Sequence, residues 1–182
     1  RIEESLKTLH RLQSLIISLM IIGKIISHQY LREDTFSVTE LLEEVAKEIE
    51  PLSEDAGIIL IREFKDDIRL EKANRSLIFS MFFNIVNNSV RNTPSGGRII
   101  IETGKLNKGF SAGISDTGKG LTVEQKELLF SRFRMRNKDS GEGTGIGLAI
   151  AKTIADFHQI DVSVESSYGT GTKFTFAFPA DQ

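Results

Sequence analysis

The chain has 182 residues, a formal net charge of −2 and 40% hydrophobic residues. This composition is typical of a soluble globular protein with enough apolar side chains to form a core. The charges are scattered and show no basic excess, so we expect no nucleic-acid partner. The sequence contains no cysteine, which excludes disulfide bonds and zinc–thiolate sites. Because it begins at Arg1 and not at Met, we expect it to be a fragment of a longer protein.

The first segment, Ile2 to Tyr30, predicts one long helix because its apolar residues recur at steps of three and four. Between Leu15 and Ile26 these residues surround most of the helix, which favours burial in a helix bundle or a dimer interface. A membrane-associated helix is the less favoured alternative, since the apolar stretch is too short for a membrane span and contains Lys24.

A polar joint, Leu31 to Phe36, follows this helix and predicts a domain boundary. Residues 1–34 are expected to form one unit and residues 35–182 a separate domain. The second domain begins with the capping-box pattern Ser37-Val38-Thr39-Glu40, which predicts a helix through about Glu50.

The remaining elements follow from apolar periodicity and from turn residues. The predicted strands are Ile58–Phe64, Ile68–Leu70, Arg98–Thr103, Phe110–Ser115, Asp161–Ser166 and Lys173–Phe178, and the predicted helices are Asn74–Asn92, Thr122–Phe130 and Gly145–His158. This order of helices and strands predicts an α+β two-layer sandwich preceded by one long N-terminal helix.

A glycine run, Gly141 to Leu148, has glycine at every second position. Glycine stabilises neither a helix nor a strand interior, so this spacing indicates close approach of a ligand to the backbone, or else a flexible linker. The helical residues that follow, Ala149 to Lys152, favour the ligand, because a helix N-terminus offers free N–H groups to phosphate. The run matches neither the dinucleotide fingerprint, which needs a preceding strand, nor a Walker A loop.

Five motifs occur in one order along the chain, and each alone has an ordinary structural explanation. They are Asn84-Ile85-Val86-Asn87-Asn88, Asp116-Thr117-Gly118-Lys119-Gly120, Leu129-Phe130-Ser131-Arg132-Phe133, Gly143-Thr144-Gly145-Ile146-Gly147-Leu148-Ala149-Ile150 and Gly169-Thr170-Gly171-Thr172. Their order resembles the Bergerat-type ATP-binding fold, most closely the catalytic ATP-binding domain of sensor histidine kinases. The resemblance extends from Phe36 to Pro179 and implies a mixed sheet packed on helices, with ATP as the ligand.

The resemblance also implies roles for individual residues. Asn88 would coordinate Mg²⁺ through its side-chain oxygen, with Asn84 supporting the site, and amide oxygens are suitable ligands for this ion. Asp116 would accept a hydrogen bond from the exocyclic amine of adenine, while Gly118 and Gly120 let the base lie against the backbone.

Further nucleotide contacts are implied around the phosphates. Thr172 would help to hold Asp116 or a water molecule, and residues 131–142 would form a lid over ATP. The other residues assigned to nucleotide binding are Arg91, Lys138, Gly143, Gly145, Gly147 and Leu148. Because the usual lid arginine falls at Met135, the contact with the γ-phosphate is left open between Arg134, Arg136 and Lys138.

Asn84 stands where ATP-hydrolysing relatives and the anti-sigma serine kinases carry glutamate as a general base. An amide cannot accept a proton near neutral pH, so a hydrolase of the gyrase or chaperone kind is disfavoured. A histidine acceptor can act as a nucleophile while neutral, which fits this site. Two departures, Asn92 in place of an aromatic residue and Met135 in the lid, keep open an alternative, a degenerate nucleotide-binding module without kinase activity.

The acceptor histidine itself is not identified in the chain. His10 and His28 lack the flanking residues of a phosphoacceptor box, and His158 is expected to be a helix-end or packing residue, although Gln159 replaces the glycine usual after it. Residues Ile2 to Tyr30 are interpreted as the second helix of the dimerisation and phosphoacceptor hairpin. The acceptor would then lie upstream of this fragment, which by itself should not autophosphorylate.

The resemblance implies partners for the full-length protein. These are a phosphoacceptor histidine domain of the same or a partner subunit, a response-regulator receiver domain that takes the phosphoryl group on aspartate, and a second copy in a homodimer. This part of the protein would be cytoplasmic, in a parent protein that can be anchored in a membrane.

Overall fold

The structure, a computed structural model, describes residues 2–126 and 146–178. The helices of this part are α1 (Ile2–Ile26), α2 (Val38–Asp55), α3 (Arg75–Asn92) and α4 (Ile146–Phe157). The strands are β1 (Asp34–Ser37), β2 (Ile59–Phe64), β3 (Arg69–Ala73), β4 (Arg98–Lys105), β5 (Phe110–Asp116), β6 (Asp161–Ser167) and β7 (Gly171–Phe178). Residues 123–126 are also helical.

Five of these strands form one mixed sheet in the order β2-β4-β5-β7-β6. Strand β2 runs parallel to β4, while the other neighbouring pairs are antiparallel. Strands β1 and β3 form a separate antiparallel pair. The prediction of a mixed sheet packed on helices, preceded by a long N-terminal helix, is therefore confirmed.

The core lies between the sheet and helices α2, α3 and α4. Alternate residues of each central strand point into it, as expected for a sheet with one buried face. Phe82 of α3 contacts Phe176 of β7 edge to face, with ring centroids 5.0 Å apart. The core side of α3 is filled by Leu77, Ile78, Met81, Phe82, Ile85 and Val86. The opposite side of the same helix is only half-buried and carries Asn84 and Asn88.

The helix starts confirm the capping predictions. The Ser37 hydroxyl accepts a hydrogen bond from the Glu40 N–H at 3.1 Å, and the Asn74 amide oxygen accepts one from the Leu77 N–H at 3.1 Å. Thr122 and Gln125 form the reciprocal bonds of a capping box, at 3.0 and 3.2 Å. The rest of the helix predicted to reach Phe130 lies outside the described residues.

The ends of α1 and α2 differ from the predictions, whereas α3 ends at Asn92 as predicted. Helix α1 ends at Ile26 and not at Tyr30. His28, two residues after its end, adopts a positive φ of 55°. Helix α2 continues through Pro51 to Asp55, because the buried face that contains Ile49 also contains Ser53 beyond the proline. Helix α4 ends without glycine: Gln159 takes the left-handed conformation, with φ of 58°.

Helix α1 contacts α4 near its C-terminal end, where Ile25 is buried in the core. Many of its other apolar side chains are exposed: Leu9, Leu12, Ile16, Ile17, Leu19, Met20 and Ile26. In the described part of the chain, no helix combines the length and apolar content that a membrane crossing requires.

Candidate functional site

Asp116 is a buried carboxylate at the end of β5, with 8% of its surface exposed. Its Oδ1 accepts a hydrogen bond from the Gly118 N–H at 2.9 Å, and its Oδ2 accepts one from the Ser89 hydroxyl at 3.0 Å. The backbone N–H of Thr172 is a third donor. Burial raises the pKa of Asp116, and these three hydrogen bonds oppose the rise because they favour the charged form. The side chain is thus a fixed hydrogen-bond acceptor.

Thr172 reaches Asp116 through its main chain, since the two residues pair across β5 and β7. The Thr172 hydroxyl lies 2.9 Å from the Ser166 hydroxyl instead. Ser166 also accepts a hydrogen bond from the Leu121 N–H at 2.9 Å and donates one to the Gly171 carbonyl at 2.8 Å. Ser166 therefore joins the loop after β5 to the turn between β6 and β7.

Two cavities lie beside the turn between β6 and β7. One has a volume of about 500 Å³ and lies between the C-terminal end of α3 and the loop after β5; its lining includes Arg91, Asn92, Gly118 and Lys119. The other has a volume of about 300 Å³ and is lined by the ends of β5, β6 and β7, including Asp116. Of the residues assigned to nucleotide binding, Asp116 and Thr172 thus line the smaller cavity, while Arg91 and Gly118 line the larger one.

Asn84 has a defined amide orientation. Its Nδ2 donates to the Ser80 carbonyl at 2.7 Å. Its Oδ1 faces Gly147 near the start of α4, where an added Cβ would lie 3.3 Å from this oxygen. A larger residue at position 147 would therefore crowd Asn84, and the glycine allows α4 to begin close to α3.

Asn88 is half-buried on the same side of α3. Its Oδ1 accepts a hydrogen bond from the Asn92 amide at 3.3 Å, and the same Asn92 group donates to the Asn88 carbonyl at 2.8 Å. An amide oxygen has a second lone pair, so Asn88 can still serve as a ligand for a hard cation. Within residues 2–126 and 146–178 no three His, Cys, Asp or Glu side chains converge. The Asn88 amide oxygen is thus one protein ligand of the kind that magnesium accepts.

Sequence reasoning missed Ser89 and the hydrogen bonds of Asn92. Ser89 is fully buried and follows Asn88 on the core side of α3. A polar residue among apolar helix positions was the available signal, because a buried hydroxyl requires a hydrogen-bond partner. Its partner could not be identified from the sequence, since Asp116 lies on a different element.

His158 is a packing residue, as predicted. It is 1% exposed, its Nε2 accepts a hydrogen bond from the Asn74 N–H at 3.0 Å, and its Nδ1 lies 2.8 Å from the Ile154 carbonyl. Burial lowers the pKa of this imidazole. His158 therefore joins the end of α4 to the start of α3.

Five of the predicted site residues lie in the part of the chain that the structure does not describe. They are Arg134, Arg136, Lys138, Gly143 and Gly145. Leu148 is described: it is half-buried and contacts the core from the first turn of α4.

Comparison with known proteins agrees with this geometry. The family described as histidine kinase-, DNA gyrase B- and HSP90-like ATPases matches residues 73–182. The sensor protein IrlS of Burkholderia pseudomallei is 30% identical over 183 residues, covering 98% of this chain and 39% of IrlS. The chain thus spans about two fifths of the length of that relative.

Solved structures show the same fold. The nucleotide-free catalytic domain of histidine kinase ThkA is 27% identical, with a TM-score of 0.70 over 83% of this chain and 96% of that one. ThkA in complex with the response regulator TrrA is 26% identical, with a TM-score of 0.71 over 96% of this chain and 48% of that one. With the family match over residues 73–182, the chain belongs to the histidine kinase-, DNA gyrase B- and HSP90-like ATPases.

Proposed function

We propose that this chain is the ATP-binding kinase domain of a two-component sensor, which transfers the γ-phosphoryl group of ATP to a histidine. Membership of this ATPase family implies ATP binding. The observation that carries the proposal is the position of Asp116, whose carboxylate accepts hydrogen bonds from Gly118 and Ser89 and lines the cavity at the ends of β5, β6 and β7. Asn84 and Asn88 lie on the half-buried side of α3.

The nucleotide would be recognised at both ends. Asp116 offers acceptor atoms to the exocyclic amine of adenine. Arg91 lines the larger cavity and supplies positive charge near the end of α3. The first turn of α4, where Gly147 lies close to Asn84, offers main-chain N–H groups to the phosphates.

Asn88 would hold Mg²⁺ through its Oδ1, which the Asn92 amide already orients. When bound, the ion supplies neutralisation of charge on the β- and γ-phosphates. Asn92 thus has a role on the metal side of the site, although an aromatic residue is expected at its position in relatives. This contact weakens the case for a degenerate module.

Asn84 favours a kinase over a hydrolase. Its amide nitrogen is engaged with Ser80 and its oxygen faces Gly147, so this side chain cannot remove a proton from water. A neutral histidine needs no such base, because its ring nitrogen carries a free lone pair. That nitrogen would bond to the γ-phosphorus while the bond from phosphorus to the leaving oxygen of ADP breaks. Arg134, Arg136 and Lys138 of the lid are proposed to stabilise the charge that develops.

The other parts of the proposal concern partners. The acceptor histidine would belong to a phosphoacceptor domain of the same or a partner subunit, and the phosphoryl group would pass to an aspartate of a response regulator. Residues 1–34 would form the second helix of the dimerisation hairpin, which is supported by the exposed apolar side chains of α1. A cytoplasmic location follows from the same proposal, since ATP and receiver domains are found there.

A phosphotransfer assay tests the proposal. The purified chain would be mixed with ATP, Mg²⁺ and the separately purified phosphoacceptor hairpin of the parent protein, and phosphohistidine would be mapped by mass spectrometry. We expect phosphate on the hairpin, not on His10 or His28. Asn88→Ala should reduce transfer at least about tenfold, because a group that orients the metal and its phosphates is lost.

Asn107→Ala is the matched control, since Asn107 is exposed in the loop between β4 and β5. Equal rates for the two variants would remove Asn88 as the metal ligand. Rapid phosphate release without the hairpin would favour a hydrolase, and nucleotide binding without transfer would favour a degenerate module.

A further inference from the structure

Ser89 is a fully buried polar residue on the core side of α3, next to Asn88 in sequence. A buried serine in a helix commonly donates to a carbonyl of the preceding turn. Ser53, the comparable buried serine of α2, does so with the Glu50 carbonyl at 2.8 Å. The Ser89 hydroxyl instead leaves its own helix and donates to Oδ2 of Asp116 at 3.0 Å.

This hydrogen bond limits what Asp116 can still accept. An ionised carboxylate has about four acceptor positions on its two oxygens. Gly118 occupies one on Oδ1 and Ser89 occupies one on Oδ2, and the Thr172 main chain also favours the charged form. The acceptor capacity that remains suits an N–H donor from a ligand. A ligand carbonyl at the same place would face an acceptor and would be repelled.

We propose that Ser89 is a positioning residue that fixes the carboxylate of Asp116 and thereby sets the preference of this site for a purine with an exocyclic amine over one with a carbonyl group. The inference rests on the proposed nucleotide-binding function and deepens it. Gly118 and Thr172 act through the main chain, so their donors remain with any side chain. Ser89 is the side-chain donor of the three and can be removed by substitution.

The loss of this donor changes Asp116 in two ways. Oδ2 can then turn away from its present direction, and the charged form loses one stabilising bond, which raises the pKa of Asp116. A protonated Asp116 could donate to a ligand carbonyl, so discrimination between the two kinds of purine should weaken. The charged groups around Asp116 stay in place: Glu165 and Lys173 line its own cavity, and Arg91 and Lys119 line the other.

The experiment compares Ser89→Ala with the wild type. Dissociation constants for ATP and GTP with Mg²⁺ would be measured by calorimetry, and the Asp116 carboxyl would be titrated by carbon-detected NMR in the nucleotide-free protein. We expect the preference for ATP to fall about tenfold, from the size of a hydrogen bond to a charged group. We also expect the pKa of Asp116 to rise. Ser53→Ala, the matched control, should change neither.

Ser89→Cys is a second variant, which keeps the test informative if Ser89→Ala does not fold. It keeps the shape and a weaker donor, so its preference and its Asp116 titration should lie between those of the wild type and Ser89→Ala. A wild type that binds neither nucleotide refutes the proposed function, and the inference falls with it. A wild type that prefers ATP, with an unchanged preference and titration in both Ser89 variants, overturns the role of Ser89 alone.

Discussion

Gly120 lies where the loop after β5 touches the turn between β6 and β7. Its φ of +66° is in the left-handed region, and a Cβ built there would overlap the carbonyl oxygen of Ser167. The resemblance to sensor histidine kinases assigns Gly120 to the nucleotide base. The structure gives it a second function, because the protein's own backbone already excludes a side chain at this position.

Gly120→Ala should therefore destabilise the protein in the absence of nucleotide. The left-handed conformation costs alanine about 1–2 kcal/mol, and displacement of the Ser167 backbone adds to this. We expect the free energy of unfolding, from urea titration, to fall by about 2 kcal/mol or more. Gly104→Ala is the control, since its Cβ would lie 3.8 Å from the Ser111 hydroxyl and its φ is not positive. Equal stability of the two variants would contradict this account.

At this scale the sequence predicted the residues with strong local signals. Asp116 and Asn88 were identified by their motifs, and the structure places each in a defined hydrogen-bonding environment. Ser89 was not identified, because its function depends on a contact with a residue 27 positions away. Such contacts are determined by tertiary packing and not by local spacing.

Helices α3 and α4 are joined at one end by His158. The Asn74 N–H donates to Nε2, so this nitrogen is unprotonated, and Nδ1 can donate to the Ile154 carbonyl. The imidazole is therefore neutral in the folded protein. The adjacent Phe157 lies beneath the Arg32 guanidinium, 5.4 Å from the ring centroid, and its carbonyl accepts a hydrogen bond from Arg32 at 3.0 Å. The segment after α1 is thus attached to the end of α4.

Stability should fall as the pH decreases from about 7 to 5. Folding lowers the pKa of His158 from its ordinary value of about 6.5, so the neutral ring stabilises the native state above that pH. At a pH below this value the unfolded chain binds a proton at His158 that the native state excludes. The free energy of unfolding therefore decreases as the pH falls toward the pKa of His158 in the folded state. Urea unfolding of wild type and His158→Gln at several pH values measures this.

The pH dependence of His158→Gln should be flatter over this interval. His28→Gln is the control, because His28 is exposed at the end of α1, and it should retain the wild-type slope. The same slope in all three proteins would show that His158 does not titrate on unfolding.

Helix starts were easier to predict from the sequence than helix ends. Ser37 and Asn74 act as caps through bonds within three residues, which a local pattern can reveal. The end of α2 was predicted wrongly at Glu50, because the penalty of Pro51 is outweighed by burial of the helix face on both sides of it. Burial of that kind depends on the whole fold.

On the scale of the whole molecule, the strand order places the candidate site where the neighbouring strands β5, β7 and β6 end on the same side of the sheet. Neighbouring β5 and β7 bring Asp116 opposite Thr172, and α3 lies across the strands so that Ser89 reaches the same carboxylate. The sequence predicted the two-layer class and most of the elements, but not strand β1, which lies partly in the segment predicted as a polar joint and forms by pairing with β3. Pairing between β2 and β4, which are parallel and separated by a strand and a helix, could not be derived from local patterns.

The central claim is that this end of the sheet binds adenine nucleotide through Asp116. Calorimetric titration of the purified chain with ATP and Mg²⁺ tests it most directly, with Asp116→Asn as the variant. An asparagine keeps the shape but places a donor or a weaker acceptor toward the base, so we expect one saturable site in the wild type and at least about tenfold weaker binding in the variant. Equal affinity of the two proteins, or no saturable binding by the wild type, would contradict the account.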